Sequence, residues 1–499
     1  MSTHANAAAE PPTKSADEHR RHNRVLTMIG VAQLMVVLDI TIVNVALPSA
    51  QEALGFTGAS RQWVITAYAL AFGSLLLLGG RMGDLFGRKR VFITGLLGFA
   101  TASAIGGAAQ SAEMLIGARA LQGVFGALLA PASLSILTTT FTAPQERARA
   151  FGIFSAIAGG GAAVGLLLGG MLAEWASWRW CLYVNVVFAI PTAFAATRLL
   201  ASGRPAQRPG VDIPGTLLAT SALFLVVFGF SRAEVDGWGS AGAVGSFVAA
   251  AILLPSFIVR QRTAAHPLLP LPVVLDRARA GAYLSMLLAG TGIFAAFLFL
   301  TYFMQQNLRF TPIQTGTGFL AMTVGIVSSA QIVTRKLLPA FGPRPIVIAG
   351  MLFAAAAMFG FTTLSLDSTY AGTIMPCLFV CGLGMGSIFA PAFQTGTFGV
   401  QPMHAGVASA MVNTSQQVGG SIGTAAMSTI AASAMTKALG SANAAGADPQ
   451  VLAAAAVHGY TTAFTWAAGI FLVGAIVAGS LLPGGRLEHA PAAEPAVAH

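Results

Sequence analysis

Apolar residues run along this chain in blocks of about twenty, and a helix needs about that many to cross a hydrocarbon layer. The first series falls at 26–48, 63–80, 91–110, 112–139, 150–173 and 179–200. A second falls at 213–231, 240–259, 281–304, 313–334, 345–364, 371–393, 405–434 and 460–482. The pattern predicts an all-α polytopic membrane protein of about fourteen spans. The pair over 213–259 is the most diluted by Gly and Ala. The opening block is too long for a removable secretory leader and has no small-residue cleavage site.

Composition narrows the picture. The chain has 499 residues, 55% hydrophobic and 9% charged, where soluble domains carry roughly 25% charge. So few charges cannot cover a water-soluble surface, and so many apolar residues exclude disorder. The three cysteines, Cys181, Cys377 and Cys381, lie in apolar runs and form no disulfide framework. Cys377 and Cys381 share a helical face, but no His or carboxylate stands near to complete a metal site, so they read as packing and no metal is expected.

The net charge of +10 reports topology. With the N-terminus inside, 21 basic residues fall in cytoplasmic segments and 5 outside, and Arg119 is intramembrane. That asymmetry obeys the positive-inside rule, places both termini in the cytoplasm and leaves nothing for a nucleic-acid partner, whose motifs are missing too. A multi-pass protein of the plasma membrane, the cell's inner membrane, is expected.

Three fragments recur in order. GALLAPA at Gly126–Ala132 returns as GSIFAPA at Gly386–Ala392, and GIFSA at Gly152–Ala156 as GVASA at Gly406–Ala410. LFGRK at Leu85–Lys89 returns as AFGPR at Ala340–Arg344. A duplicated half of about six spans follows, with substrate expected where the halves meet. The expected organisation is a tail over 1–25, a six-helix half over 26–200, and a linker with two added helices over 201–262. A second half over 263–482 and a tail over 483–499 complete it.

Ionisable groups deep in a bilayer are costly and point to function. Asp39 is the one carboxylate near the middle of a span. Desolvation disfavours its ion, so it is expected to take up and release a proton; a structural hydrogen bond within the first helix is the plainer reading. Arg119, two turns into the fourth span, fits either a counter-ion to that carboxylate or a snorkelling side chain. The string GGRMGDLFGRKR at 79–90 joins the second and third spans on the cytoplasmic side. There Gly83 and Gly87 allow a tight turn, Asp84 can cap a helix N-terminus and complement its dipole, and Arg88, Lys89 and Arg90 can pair with acids or face anionic lipid, with Gly80 and Arg81 earlier in the same string. Gly161, Gly165 and Gly169 form a small-residue stripe in the fifth span, with Gly170 beside it, that lets a neighbouring helix approach closely. Asn44, Gln122, Phe303, Gln306, Phe393, Asn413 and Gln416 are candidates to line a cavity, though each also suits lipid contact or helix packing.

Together these strings resemble the major facilitator superfamily, in its fourteen-span drug:proton antiporter branch. LDITIVNVALP at 38–48 is similar to that branch's first-helix motif, GRMGDLFGRKR to the superfamily's loop signature and RALQG at 119–123 to its fourth-helix arginine motif. SWRW at 177–180 followed by Asn185 resembles the start of its sixth helix. The resemblance covers about residues 25–482. It implies two six-helix halves plus two inserted helices, proton handling by Asp39 with Arg119, gating by Asp84 and Arg88, and packing by the fifth-span glycines. Three positions depart from the pattern: Leu166 and Val187 stand where prolines are usual, and Pro339 replaces Asp84 in the second loop copy.

The implied function is proton-coupled efflux of amphipathic drugs or other hydrophobic small molecules by alternating access. A dedicated exporter of one metabolite or self-made antibiotic is the alternative, and a membrane sensor or enzyme a remote one. No enzyme activity is expected, since clustered His, Asp or Glu is missing. The proton is the coupling ion and no cofactor is expected. The partners are a small-molecule substrate and the lipid bilayer, with the protein a monomer. One deep acid suits neutral or singly cationic substrates better than dications.

Overall fold

A computed structural model describes residues 16–56, 58–201, 212–439 and 448–485. The long helices are α1 Ala16–Leu54, α2 Gly58–Phe86, α3 Arg88–Gly107, α4 Ala112–Thr140, α5 Pro144–Trp175, α6 Trp180–Leu199, α7 Ile213–Asp236 and α8 Ala241–Thr263. They continue as α9 Arg277–Tyr302, α10 Ile313–Phe341, α11 Pro343–Phe361, α12 Met375–Gly396, α13 Ala405–Leu439 and α14 Pro449–Leu481. Among the described residues, 13 helices are long and apolar enough to span a membrane. The exception is α13, whose 35 residues are interrupted by Ser, Thr, Asn and Gln. It packs against α2, α4, α7, α9 and α14, and those polar residues largely bond to their own backbone. A polar helix is tolerated where protein, not lipid, surrounds it.

The stretch read as a loop at 79–90 is helix almost throughout. α2 continues to Phe86 and α3 starts at Arg88, so the turn is Gly87 alone, at φ 93°. Only Gly adopts such a value freely. Gly80, Arg81, Gly83 and Asp84 therefore belong to α2, and Gly83 takes no part in the turn. The reason is tertiary: this polar end of α2 packs on the start of α13 and keeps its helical hydrogen bonds there.

The two fragments of each recurring pair stand in equivalent surroundings. Gly342, the counterpart of Gly87, also has positive φ, 75°. Pro131 and Pro391 both lie inside helices, α4 and α12. Gly152 of α5 abuts Thr334 of α10, and Gly406 of α13 abuts Gly80 of α2. The first and second series of helices thus meet along two seams. In one, Gly170, Gly160, Gly159 and Gly152 of α5 face Ile313, Thr323, Ile326 and Thr334 of α10 in antiparallel order. In the other, Gly73 and Gly80 of α2 face Gln417 and Gly406 of α13. Small residues let these backbones touch where lipid supplies no hydrophobic drive.

α7 and α8 pack on each other, and α7 on α2 and α13. Asp212 fastens them: it accepts from Gly215 N, Arg260 Nε (3.0 Å) and Gln261 Nε2 (2.9 Å). Burial alone would push its carboxyl up, but these donors outweigh it and hold the group below the usual carboxylate range.

Candidate functional site

The deepest polar cluster forms where α1, α3, α4 and α6 converge. Asp39 of α1 is fully buried. Its Oδ2 accepts from Arg119 Nη1 at 2.5 Å, and its Oδ1 from Gln122 Nε2 and Asn185 Nδ2, each at 2.8 Å. Gln122 in turn accepts from Arg119 Nη1 (2.9 Å) and donates to Ser103 Oγ (2.7 Å). Arg119 is 2% exposed, points Nε at the Val64 carbonyl of α2, and lies 4.4 Å from the centre of the Tyr68 ring. Neither the Tyr68 hydroxyl nor Asn185 Oδ1 has a partner among the described residues. Arg119 is thus a buried counter-ion, not a snorkelling side chain. Every one of these partners belongs to the first half, so the carboxylate faces into that half and not the seam. Gln122, read as a cavity residue, belongs to this cluster.

Ion pairing and two neutral donors make the charged Asp39 tolerable in a dry site. A proton on Asp39 removes the charge that holds Arg119, whose guanidinium then has the Val64 carbonyl and the Tyr68 ring within reach.

The second constellation sits at the face of the bundle where α1 begins. Asp84 accepts from Gly406 N (3.0 Å) and Val407 N (3.3 Å), at the N-terminus of α13, where backbone donors and the dipole favour an anion. Arg88 donates to the Pro402 carbonyl, and Lys89 Nζ to the carbonyls of Thr197 and Leu200 that end α6. Arg81 is 4% exposed, while Arg90 points outward. Asp84 and Arg88 therefore clasp one half to the other, with no acid at the matching Pro339.

His404 lies in the one-turn helix Pro402–His404 between these contacts, with Nδ1 buried and partnerless among the described residues. The charge that acts on it is Arg81 of α2, while Asp84 and Arg88 hold the backbone on either side of it at Gly406, Val407 and Pro402. Burial first, and the Arg81 charge second, hold His404 below its ordinary 6.5. The closed clasp thus favours the neutral ring. Its contribution is complete above pH 6.5 and is lost as pH falls through the depressed value. Labelling of a Gly83→Cys reporter, in a background with the natural cysteines replaced and normalised at each pH to a fully exposed cysteine that loses thiolate alike, should accelerate as pH drops from about 7.5 to 5.5. His404→Asn should reduce the change with pH.

The other predicted residues scatter. Gly161, Gly165 and Gly169 contact α1 at Val37, Thr41 and Ile42, within the first half, whereas Gly170 meets Ile313 across the seam. Phe393 stands edge-on to Phe154 across the halves, with centroids 5.3 Å apart. Phe303 is fully buried and Gln306 exposed, its Oε1 accepting from Tyr460 Oη at 3.3 Å, and both lie in a π-helical turn after α9. Asn413 donates to the Ser409 carbonyl, and Gln416 is half-buried. The Asn44 side chain lies outside the described ones. Leu166 leaves α5 an unbroken helix, and Val187 is exposed. Sequence reasoning missed Ser103, Tyr68 and the binding role of Asn185.

Several proteins whose names concern antibiotics are similar to this chain in sequence. The puromycin resistance protein pur8 of Streptomyces alboniger is 45% identical over 459 residues, 92% of this chain and 90% of that one. The cephamycin export protein CmcT of Amycolatopsis lactamdurans is 39% identical, covering 82% and 85%. The tetracenomycin C resistance and export protein of Streptomyces glaucescens is 31% identical, covering 86% and 80%. In fold, the chain is similar to the crystal structure of the human organic anion transporter MFSD10 (TETRAN), with TM-score 0.63 and 15% identity over 92% of this chain and 99% of that one. A family model described as Major Facilitator Superfamily matches residues 29–424. With two helical series meeting along paired glycine seams, and relatives this close over nearly its whole length, the chain belongs to the Major Facilitator Superfamily of membrane transporters.

Proposed function

We propose that this protein exports amphipathic, antibiotic-like small molecules across a bacterial inner membrane, driven by protons, with the face where α1 begins in the cytoplasm. The observation that carries the reading is the fully buried Asp39–Arg119 pair, one proton away from separating, on a helix that leads to the seam. α1 presents Asp39 to the first half and, on another face, its Val37–Thr41–Ile42 ridge to the glycines of α5. α5 in turn forms the seam with α10. Protonation of Asp39 from outside would release Arg119, shift α1 and α5, and so reset the α5–α10 contact. The halves then rock about the central region. The names of the relatives support efflux of antibiotics; the proton is the only coupling agent the reading needs, and a monomer suffices.

The energetics close. One proton entering down 100 mV contributes about 2.3 kcal/mol and a pH unit about 1.4, enough for a few-hundred-fold gradient of a neutral solute. A dedicated exporter of one self-made antibiotic is the second reading, favoured by three relatives named for single compounds. Substrate-induced proton release from proteoliposomes, screened over dyes, quaternary ammonium compounds and antibiotics, tests both. Release with several unrelated compounds supports broad efflux, release with one supports the dedicated exporter, and uphill uptake without proton movement overturns the coupling.

A further inference from the structure

Arg147 lies near the start of α5, 8% exposed, and neither its Nε nor its Nη2 meets an acceptor among the described residues. A guanidinium cannot shed its charge, and buried donors left empty in a native fold call for an explanation. Its carbon lies 5.4 Å from the ring centre of Phe151, one turn along the same helix, and 5.6 Å from that of Phe398. Phe398 follows α12 in the second half, so Arg147 stands in the seam, capped by the opposite half while that face is closed. The neighbouring Glu146 is turned to His22, at 3.1 Å. The duplication also leaves the end of α10 without the acid that α2 carries, because Pro339 stands where Asp84 faces the other seam. Asp39, already saturated by Arg119, Gln122 and Asn185, offers no free charge to a cationic drug.

A planar guanidinium takes a carboxylate through two parallel N–H bonds, a fit that neither an ester nor a cation reproduces. Two phenyl rings beside it suit the apolar body of the same ligand. We propose that Arg147, with Phe151 and Phe398, binds the carboxylate of a singly anionic amphiphile as it enters between the halves from the face where α1 begins. This deepens the export reading and rests on it for the direction of travel. It replaces the sequence-based expectation of neutral or singly cationic substrates with one that includes acids.

The test uses the full chain in nanodiscs with three matched fluorescent probes: dansylglycine, its uncharged methyl ester, and a dansyl trimethylammonium cation. The wild type should bind the acid about tenfold more tightly than the ester. Arg147→Gln should remove that preference, raising Kd for the acid about tenfold while moving the ester less than about twofold, and Arg147→Lys should restore part of it. Thermal melts of both variants keep a folding defect from passing as lost binding. A parallel loss for all three probes would make Arg147 a latch between halves and overturn the proposal, as would an acid affinity indifferent to the substitution. If the wild type prefers the acid but fails to move it uphill in energised vesicles, the export reading falls and the binding site stands.

Discussion

Asp39→Asn should abolish uphill, proton-driven export in everted vesicles while the protein still inserts, and it should lower thermal stability. The second effect follows from Arg119. Removing one partner of a buried ion pair strands the other charge, at a typical cost of about 3–5 kcal/mol. Asn sits at the lower end, because its carbonyl oxygen still accepts one of the hydrogen bonds that Arg119, Gln122 and Asn185 now share. The double variant Asp39→Asn/Arg119→Met separates folding from coupling. With both charges gone the site is neutral, and replacing a buried pair by apolar packing is often neutral or stabilising. Its melting temperature should therefore return most of the way, while proton-driven export stays lost. The double-mutant cycle is informative because the two groups touch. Uphill export by either variant would assign coupling to another group.

The sequence made the cost of a deep carboxylate visible, and with it Asp39 and Arg119. It did not make visible which way the carboxylate points. Asn185 carried a signal that could have been used, since an amide in the middle of an apolar helix is as conspicuous as Gln122, yet it served only as a marker for the sixth helix. Ser103 and Tyr68 carried none: a serine or tyrosine in a membrane helix usually satisfies itself on its own backbone or at the interface. The spans were legible because hydrocarbon thickness imposes a length on apolar runs. Helix ends were not, where polar residues are buried against protein, as in the stretch from Arg81 to Phe86. Arg147 illustrates the same limit. Counted along the chain it is one more inside-positive charge; only the position of Phe398, about 250 residues away, shows that it is buried.

Gly406→Ala is the second large effect expected, and it follows from backbone proximity. A Cβ on Gly406 would lie 2.2 Å from the Gly80 carbonyl oxygen, 2.8 Å from Asp84 Oδ1 and 2.9 Å from its Cγ. Backbone cannot rotate out of the way, so α2 and α13 must separate, and the two hydrogen bonds from Gly406 and Val407 to Asp84 go with them. The clasp opens at the face where α1 begins. A Gly83→Cys reporter, at a buried position where a Cβ meets nothing within 4 Å, should then be labelled at least about tenfold faster, the equivalent of about 1.4 kcal/mol in the closed–open balance. Export should fall sharply because the halves no longer close on that side, while the Asp39 cluster, confined to the first half, stays intact. The matching position in the other seam supplies the control. A Cβ on Gly152 would approach Thr334 Oγ1 at 2.7 Å, but that is the end of a side chain whose rotamer can change, so Gly152→Ala should label and transport much nearer to wild type. Equal defects at the two positions would show that the seams respond to something other than the approach of backbones, and the gating role of the α2–α13 contact would have to be abandoned.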